Sequence, residues 1–485
     1  MSVDTLNNDH RSSPGWMFWR KRRYLIACLS FVGFCNVYIM RVNLSVGIVA
    51  MTSSYTVVLE NGTTIETQDF DWDFKKQGVI LSSFFYGYLS TQLLGGWLAA
   101  RLGGKFVLGI GVFVTALLTI LTPPIAATSF YLFVFARILE GLFEGVTYPA
   151  VHAIWARWAP VQERSFLVGF SLCGTPLGTV LGLQMSGVLG SVLGWRAIFY
   201  ITGLMGLVWS IVWLLVVRDR PEDDSGISPE ELHFIQNSIG SVPAARKHVT
   251  HPWLKILTAL PFWAIVVGNF CLCWSHYTML ILLPTLMKDV FDYNLAESGL
   301  VTSLPYLMMG LTTQFMGGIS DWLQNTNVLS ITKIRKLFLS GSLIGEACFL
   351  FLAGHMRTPT LVILCLIADF ALEGITLSNY YVNCLDIAPQ HASVIFGISN
   401  TFASASGIIS PMLASYIVTD KSAEQWQIIF YIASSLMAVG AVFCGLFISG
   451  DRQPWAVEQQ PTLPCKNGNT GCLNNAFSDI HEDKS

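Results

Sequence analysis

Twelve apolar stretches of about 20 residues run through this 485-residue chain, and each is long enough to cross a ~30 Å hydrocarbon core as a helix. They start near Tyr24, Gly78, Phe106, Ser129, Ser165 and Ala197, then near Pro261, Ser298, Leu337, Pro359, Ser393 and Trp426. Inside lipid every backbone polar group must find a partner within the protein, which at this segment length means helices. The expected fold class is therefore an all-α multi-pass membrane protein in two six-helix halves. The halves are 24–217, with a loop at about 52–76, and 259–450; a polar loop at 218–258 joins them, and polar ends lie at 1–23 and 451–485. At 12% charged residues and 53% hydrophobic, the chain is far from the ~25% charge of soluble domains.

Basic residues suggest the orientation. Arg20, Lys21, Arg22 and Arg23 precede the first stretch, and others recur at alternate connections: Arg101 and Lys105; Arg157 and Arg164; Arg218, Arg220, Arg246, Lys247 and Lys255; Lys333, Arg335 and Lys336. The positive-inside rule then places both termini and the central loop in the cytosol. The loop after the first stretch carries Glu60, Glu66, Asp69, Asp71 and Asp73 and the sequon Asn61-Gly62-Thr63, so Asn61 is an expected glycosylation site on the lumenal or extracellular side. Asn43-Leu44-Ser45 also fits but lies within the first stretch and is discounted. That stretch exceeds the about 7–15 apolar residues of a cleavable signal and contains Arg41, so it is expected to stay as an anchor. Ser228-Pro229-Glu230-Glu231 opens a short amphipathic helix with a capping-box pattern, and the tail after Trp455 reads as disordered. The cysteines have neither metal-site spacing nor a disulfide framework.

Arg41 and Arg137 are the basic residues deep inside apolar stretches. Insertion scales put a charge at the bilayer centre at roughly 2.5–3.5 kcal/mol, so such residues face a bundle interior or a wet pathway. Arg137, Glu140 and Glu144 stand three and four residues apart and stack on one helix face. They form either an internal salt bridge that locks the bundle or a proton-coupling device, because burial and Arg137 pull a carboxyl's protonation in opposite directions. Arg41 has no acidic neighbour in its own helix, and its planar fork suits a carboxylate or phosphate, which makes it the expected anchor of an anionic substrate. His152, two turns beyond Glu144 toward the cytosol, is either a proton relay or a structural histidine. Gly141 and Gly145, four apart, allow another helix to approach closely. In the tenth stretch Asp369 and Glu373 share a face; they make an additional cation or proton site, or simply face the cavity or a polar partner such as Asn379. Glu346 stands alone and receives no role. Tyr86, Tyr88, Trp274 and Tyr277 are candidates to line a cavity.

Two corresponding helix ends, Gly95-Gly96 through Arg101 and Lys105 and Gly317-Gly318 through Asp321, resemble the Gly-x-x-x-Asp-Arg-x-Gly-Arg-Arg loop motif of the major facilitator superfamily; Ala100 replaces the usual acidic residue in the first copy. Arg41-Val-Asn43-Leu-Ser-Val, Ser83-Phe-Phe-Tyr-Gly-Tyr88, Arg137 through Pro149, Trp158-Ala-Pro160, Leu304-Pro-Tyr306, Leu385-Asp-Ile-Ala-Pro389 and Asn400-Thr-Phe-Ala403 carry the resemblance further. From the first stretch to Trp455 the chain is similar to the anion/cation symporter family, the sialin, vesicular glutamate and type I phosphate transporter group, and most to its sialin-like members. The resemblance implies the major facilitator fold and alternating-access transport. It makes Arg41 the substrate-binding arginine and Glu144 the coupling carboxylate, and it singles out Tyr86 and Tyr277 as substrate-binding. Leu81 and Leu272 stand where vesicular glutamate members have a His and an Arg, and retention of both Glu140 and Glu144 resembles sialin-like chains. His276 instead resembles the phosphate branch, where sodium coupling occurs.

The expected function is proton-coupled symport of a small organic anion, an acidic sugar of the sialic or glucuronic type or an acidic amino acid. No catalytic or metal site and no cofactor is expected; the coupling ion is H⁺, with Na⁺ as the alternative. Sodium-dependent phosphate or urate cotransport is the nearest rival, and a non-transporting sensor or scaffold is the rival from another class. The expected partners are a small anion and the lipid bilayer, without nucleic acid, and the functional unit is a monomer. Plasma membrane and lysosomal or vesicular membrane stay open, since no acidic dileucine signal stands near either end.

Overall fold

The computed structural model describes residues 21–58, 64–160, 163–239, 252–326, 328–388 and 391–456. Asn61 and the tail beyond Ala456, with Cys465 and Cys472, lie outside them.

The first half contains α1 (Arg22–Thr52), α2 (Phe74–Leu102), α3 (Gly104–Thr128), α4 (Phe130–Glu144), α5 (Thr147–Trp158), α6 (Arg164–Leu172), α7 (Gly174–Leu193) and α8 (Trp195–Val216). The connecting loop holds α9 (Pro229–Ile239) and α10 (Trp253–Leu257). The second half contains α11 (Leu260–Phe291), α12 (Leu295–Asn325), α13 (Ile331–Arg335), α14 (Gly341–His355), α15 (Pro359–Ile387), α16 (Ala392–Ile417) and α17 (Ala423–Phe447). Among the described residues nine helical runs are long and apolar enough to cross a membrane, and α2, the α4–α5 pair and α12 complete twelve spans. A short antiparallel hairpin of β1 (Tyr55–Val58) and β2 (Thr64–Thr67) in the loop after α1 is the departure from a wholly helical expectation.

Two spans are broken, and the sequence contains the reason. Proline lacks an N–H and clashes with the carbonyl four residues earlier. Pro149 therefore opposes helix at Gly145, and α4 ends at Glu144; Pro176 does the same at Leu172, where α6 ends. The first break leaves Glu144 at a helix terminus, its carbonyl accepting a 2.7 Å hydrogen bond from the Thr147 hydroxyl.

Glycine lets α2 and α4 touch. A Cβ on Gly141 would stand 2.8 Å from the Tyr88 nitrogen, and one on Gly87 2.6 Å from the Leu142 nitrogen. Small residues meeting backbone to backbone are how helices associate closely where lipid offers no hydrophobic drive.

At the end that carries both termini, the connecting loop is tied to α1. The Glu231 carboxylate accepts from the Arg22 and Arg23 backbone nitrogens at 2.9 and 3.2 Å and from the Arg23 side chain at 3.0 Å. It thus caps α1, whose first N–H groups have no partner in their own helix. The Ser228 hydroxyl accepts from the Glu231 nitrogen at 3.2 Å, so only one side of the expected capping box forms, the carboxylate being engaged by α1. In the second half Arg335 donates to Asp386 at 2.7 Å, to Asn379 at 2.7 Å and to Ser320 at 3.1 Å, stitching α13 to α15 and α12. Asn379 is therefore a partner of Arg335, not of Asp369 or Glu373.

The halves meet along α2 against α16, α7 against α12, and α1 against α11. On the hairpin side they are packed tight. Residues 41–49 of α1 and 277–287 of α11 are buried throughout, and Gly187 of α7 faces Leu295 and Gly299 of α12.

Candidate functional site

Arg41, twenty residues into α1, is 3% exposed at its side chain. Its Nε donates to Glu144 Oε1 at 2.6 Å, and a second guanidinium nitrogen also contacts that oxygen. Arg137 pairs with Glu140, one turn away on α4. The face-sharing triad of α4 is thus divided: Glu140 serves Arg137, while Glu144 crosses to Arg41 on another helix. The second oxygen of Glu144 is buried without a hydrogen-bond partner among the described residues.

Aromatic rings enclose the guanidiniums. Tyr38, one turn before Arg41, accepts from it at 3.1 Å and stands 4.5 Å below it. Tyr88 lies 4.6 Å from Arg41, and the Phe84 ring lies between the two arginines, 5.3 Å from Arg41 and 5.4 Å from Arg137. Cation–π contacts of this type gain strength when desolvated, reaching about 2 kcal/mol. Beyond Tyr38, the Tyr148 hydroxyl at 3.1 Å extends the polar chain toward Thr175 at 3.3 Å.

Tyr277 of α11 is buried with its ring 4.7 Å from Phe85, within electrostatic reach of Arg41, so the second half contributes to the surroundings of this guanidinium. Tyr86 is placed elsewhere. It is 47% exposed, with its hydroxyl 3.6 Å from the Met412 sulfur on α16. Two residues along a helix turn the side chain by ~200°, so Phe84 and Tyr88 take the inward face and Tyr86 the outward one. Helical periodicity laid from Gly87 and Gly141 carries the signal that the motif alone lacked. His152 is exposed and stands two turns from Glu144 with no direct bond to it.

A second polar group sits in the other half. His276 Nδ1 and Glu373 Oε1 share a 2.6 Å hydrogen bond between α11 and α15. Asp369 and Glu373 are 1% and 2% exposed on one face of α15. Glu346 of α14, solitary in the sequence, joins them, accepting from Thr376 at 2.7 Å within electrostatic reach of both. Nothing in local spacing announces Glu346, because its neighbours come from a different helix.

Among the described residues no group of three His, Cys, Asp or Glu side chains is arranged to hold a metal ion.

Comparison with known proteins places this architecture. The family model described as Major Facilitator Superfamily matches residues 26–411, with a further match over 333–467. Sialin from Ovis aries is 41% identical over 451 residues, covering 90% of this chain and 91% of its own. Vesicular glutamate transporter 2 from Homo sapiens is 38% identical over 442 residues, 90% of this chain and 76% of its own. Among solved structures, a bacterial homolog to the human lysosomal transporter Spinster, inward-facing and unoccupied, superposes with a TM-score of 0.68 at 14% identity over 89% of this chain and 99% of that one. A D-xylose-proton symporter superposes at 0.63 and 16% identity over 88% and 98%. At those identities the two structures speak for the fold alone, whereas the sequence relatives speak for the branch. The chain belongs to the Major Facilitator Superfamily, in the group that contains sialin and the vesicular glutamate transporters.

Proposed function

We propose that this membrane transporter carries a small carboxylate together with a proton, by alternating access around Arg41. The observation that carries the reading is the Arg41–Glu144 pair, formed between helices at a helix break, with Tyr277 of the second half within electrostatic reach. A substrate carboxylate competes with Glu144 for the same guanidinium fork. When it succeeds, Glu144 loses its cation, and an unpaired buried charge costs several kcal/mol. Taking up a proton on its unpartnered oxygen relieves that cost. One anion bound then means one proton bound, so for a monovalent substrate the step is electroneutral. Arg137 and Glu140 tune the local charge, Tyr38 and Tyr88 hold the guanidinium, Tyr277 packs on the far side, and His152 relays the proton toward the cytosol.

Sialic- or glucuronic-type acids and acidic amino acids suit this chemistry, and the sialin likeness supports the first. The basic residues and the hairpin-side sequon support cytosolic termini. Sodium-dependent phosphate or urate transport is the second reading, favoured by His276 alone.

The test is uptake into liposomes containing purified protein, with the candidate anions screened by counterflow. An inward acid gradient is expected to drive uptake independently of voltage and of Na⁺-for-K⁺ replacement. Arg41→Ala abolishes it, and Arg41→Lys, which keeps charge but loses the fork, weakens it strongly. Normal transport by Arg41→Ala, or strict sodium dependence at fixed pH, overturns the proposal.

A further inference from the structure

The second half contains a titratable cluster that the Arg41–Glu144 exchange does not use. Glu346, Asp369 and Glu373 converge from α14 and α15, and the basic group bonded to them is the imidazole of His276. Among the described residues no Lys or Arg forms an ion pair with any of the three. The other groups facing the cluster are Cys273 and Tyr277 of α11, Tyr306 of α12 and Cys365 of α15, with Arg41 of α1 beyond Tyr277.

Charge balance makes this arrangement informative. Three carboxylates against at most one imidazolium leave two net negative charges away from water. Like charges at such sites share protons, because both members of a close buried pair do not ionise together. Among the described residues Asp369 Oδ1 and the Tyr306 hydroxyl have no hydrogen-bond partner, each on a residue 1% exposed. Tyr306 lies against the cluster, 5.8 Å from the His276 ring and 4.7 Å from Phe370, the neighbour of Asp369 in sequence.

We propose that His276, Glu373, Asp369 and Glu346 form a second proton-binding site, in the C-terminal half, loaded and emptied through His276. His276 is the entry because its side chain is 17% exposed while Glu373 is 2% exposed. It also adjoins Tyr277, whose ring is 4.7 Å from Phe85 and within electrostatic reach of Arg41, so the cluster is one residue from the surroundings of Arg41. Only its part in the transport cycle rests on the proton-coupled reading above; its proton occupancy is testable without substrate.

The experiment is infrared difference spectroscopy of the full-length protein in lipid nanodiscs, titrated over about pH 5–8, the range in which imidazole changes charge. Wild type is expected to show a protonated-carboxyl band that disappears with rising pH. The double variant Asp369→Asn/Glu373→Gln loses most of that change, and His276→Asn shifts its midpoint by a unit or so, about 1.4 kcal/mol. Arg41→Ala, which removes transport, leaves the band of this cluster in place, so failure of the two proposals is distinguishable. A wild-type protein with no carboxyl titration in this range overturns the inference whether or not the variants fold. So does a folded double variant with the wild-type titration, or a band displaced by Na⁺ and not by K⁺.

Discussion

Gly141→Ala tests whether the backbone contact of α2 with α4 sets the geometry around Arg41. The added methyl would stand 2.8 Å from the Tyr88 nitrogen and 2.9 Å from the Phe84 carbonyl carbon, both main-chain atoms that cannot rotate away. Relaxed heavy-atom contacts lie at about 3.5–4.0 Å, so the helices must part by roughly 1 Å. Phe84 and Tyr88 ride on the displaced helix, and their rings contact Arg41 at 5.3 and 4.6 Å. Overpacking of this kind costs typically about 1–3 kcal/mol of stability, and a 1 Å misplacement near a reacting or binding group costs on the order of 10²-fold in rate. Proton-driven uptake per folded molecule is therefore expected to fall by about two orders of magnitude, with a lowered unfolding midpoint in nanodiscs. Gly96→Ala is the control, because a Cβ there meets nothing within 4 Å. Unchanged uptake and midpoint for Gly141→Ala would refute the claim that this crossing positions the site.

Three further outcomes follow from the same structure. Arg335→Ala leaves Asp386 and Asn379 without their cation in a place where Arg335 is 1% exposed, and is expected to destabilise by about 3–5 kcal/mol, whereas Arg357→Ala, at 57% exposure and 3.5 Å from Glu424, costs under about 1 kcal/mol; thermal unfolding of both variants in nanodiscs checks this. Partial burial opposes the charge on Glu163, yet the Arg23 hydrogen bond and charge hold its carboxyl below the ordinary value, so its stabilisation is present above about pH 4.3 and is lost as pH falls through the lower folded value. Glu163→Gln is accordingly expected to flatten that acid limb in a pH series of unfolding midpoints, and a limb of unchanged steepness counts against the Arg23–Glu163 link. Glu144→Gln removes the exchangeable proton but keeps the shape, so counterflow is expected to persist better than acid-driven uptake; equal loss of both would show that Glu144 holds the site together and does not couple it.

How much was legible beforehand depended on the length scale of each signal. Helix number and the two-half division are one-dimensional properties, read from runs of apolar residues, and the fold agrees with them. The breaks after Glu144 and Leu172 were also written locally, in Pro149 and Pro176, since each proline acts on a carbonyl four residues away. Arg41, Arg137, Glu140 and Glu144 stood out because lipid makes buried charge expensive wherever it occurs.

Pairing was another matter. Spacing stacked Arg137, Glu140 and Glu144 on one face without saying what Glu144 would meet, and only the packing of α1 against the end of α4 gave Glu144 to Arg41. The rotation of α2 about its own axis turned Tyr88 inward and Tyr86 out, and the packing of α14 on α15 brought Glu346 to Asp369 and Glu373. By itself the sequence determined which segments enter the membrane and which charges must be hidden there, because solvation acts on each residue separately. Which hidden charge faces which was decided by tertiary packing, because helix crossing, set by glycines such as Gly87 and Gly141, is a relation between segments distant along the chain.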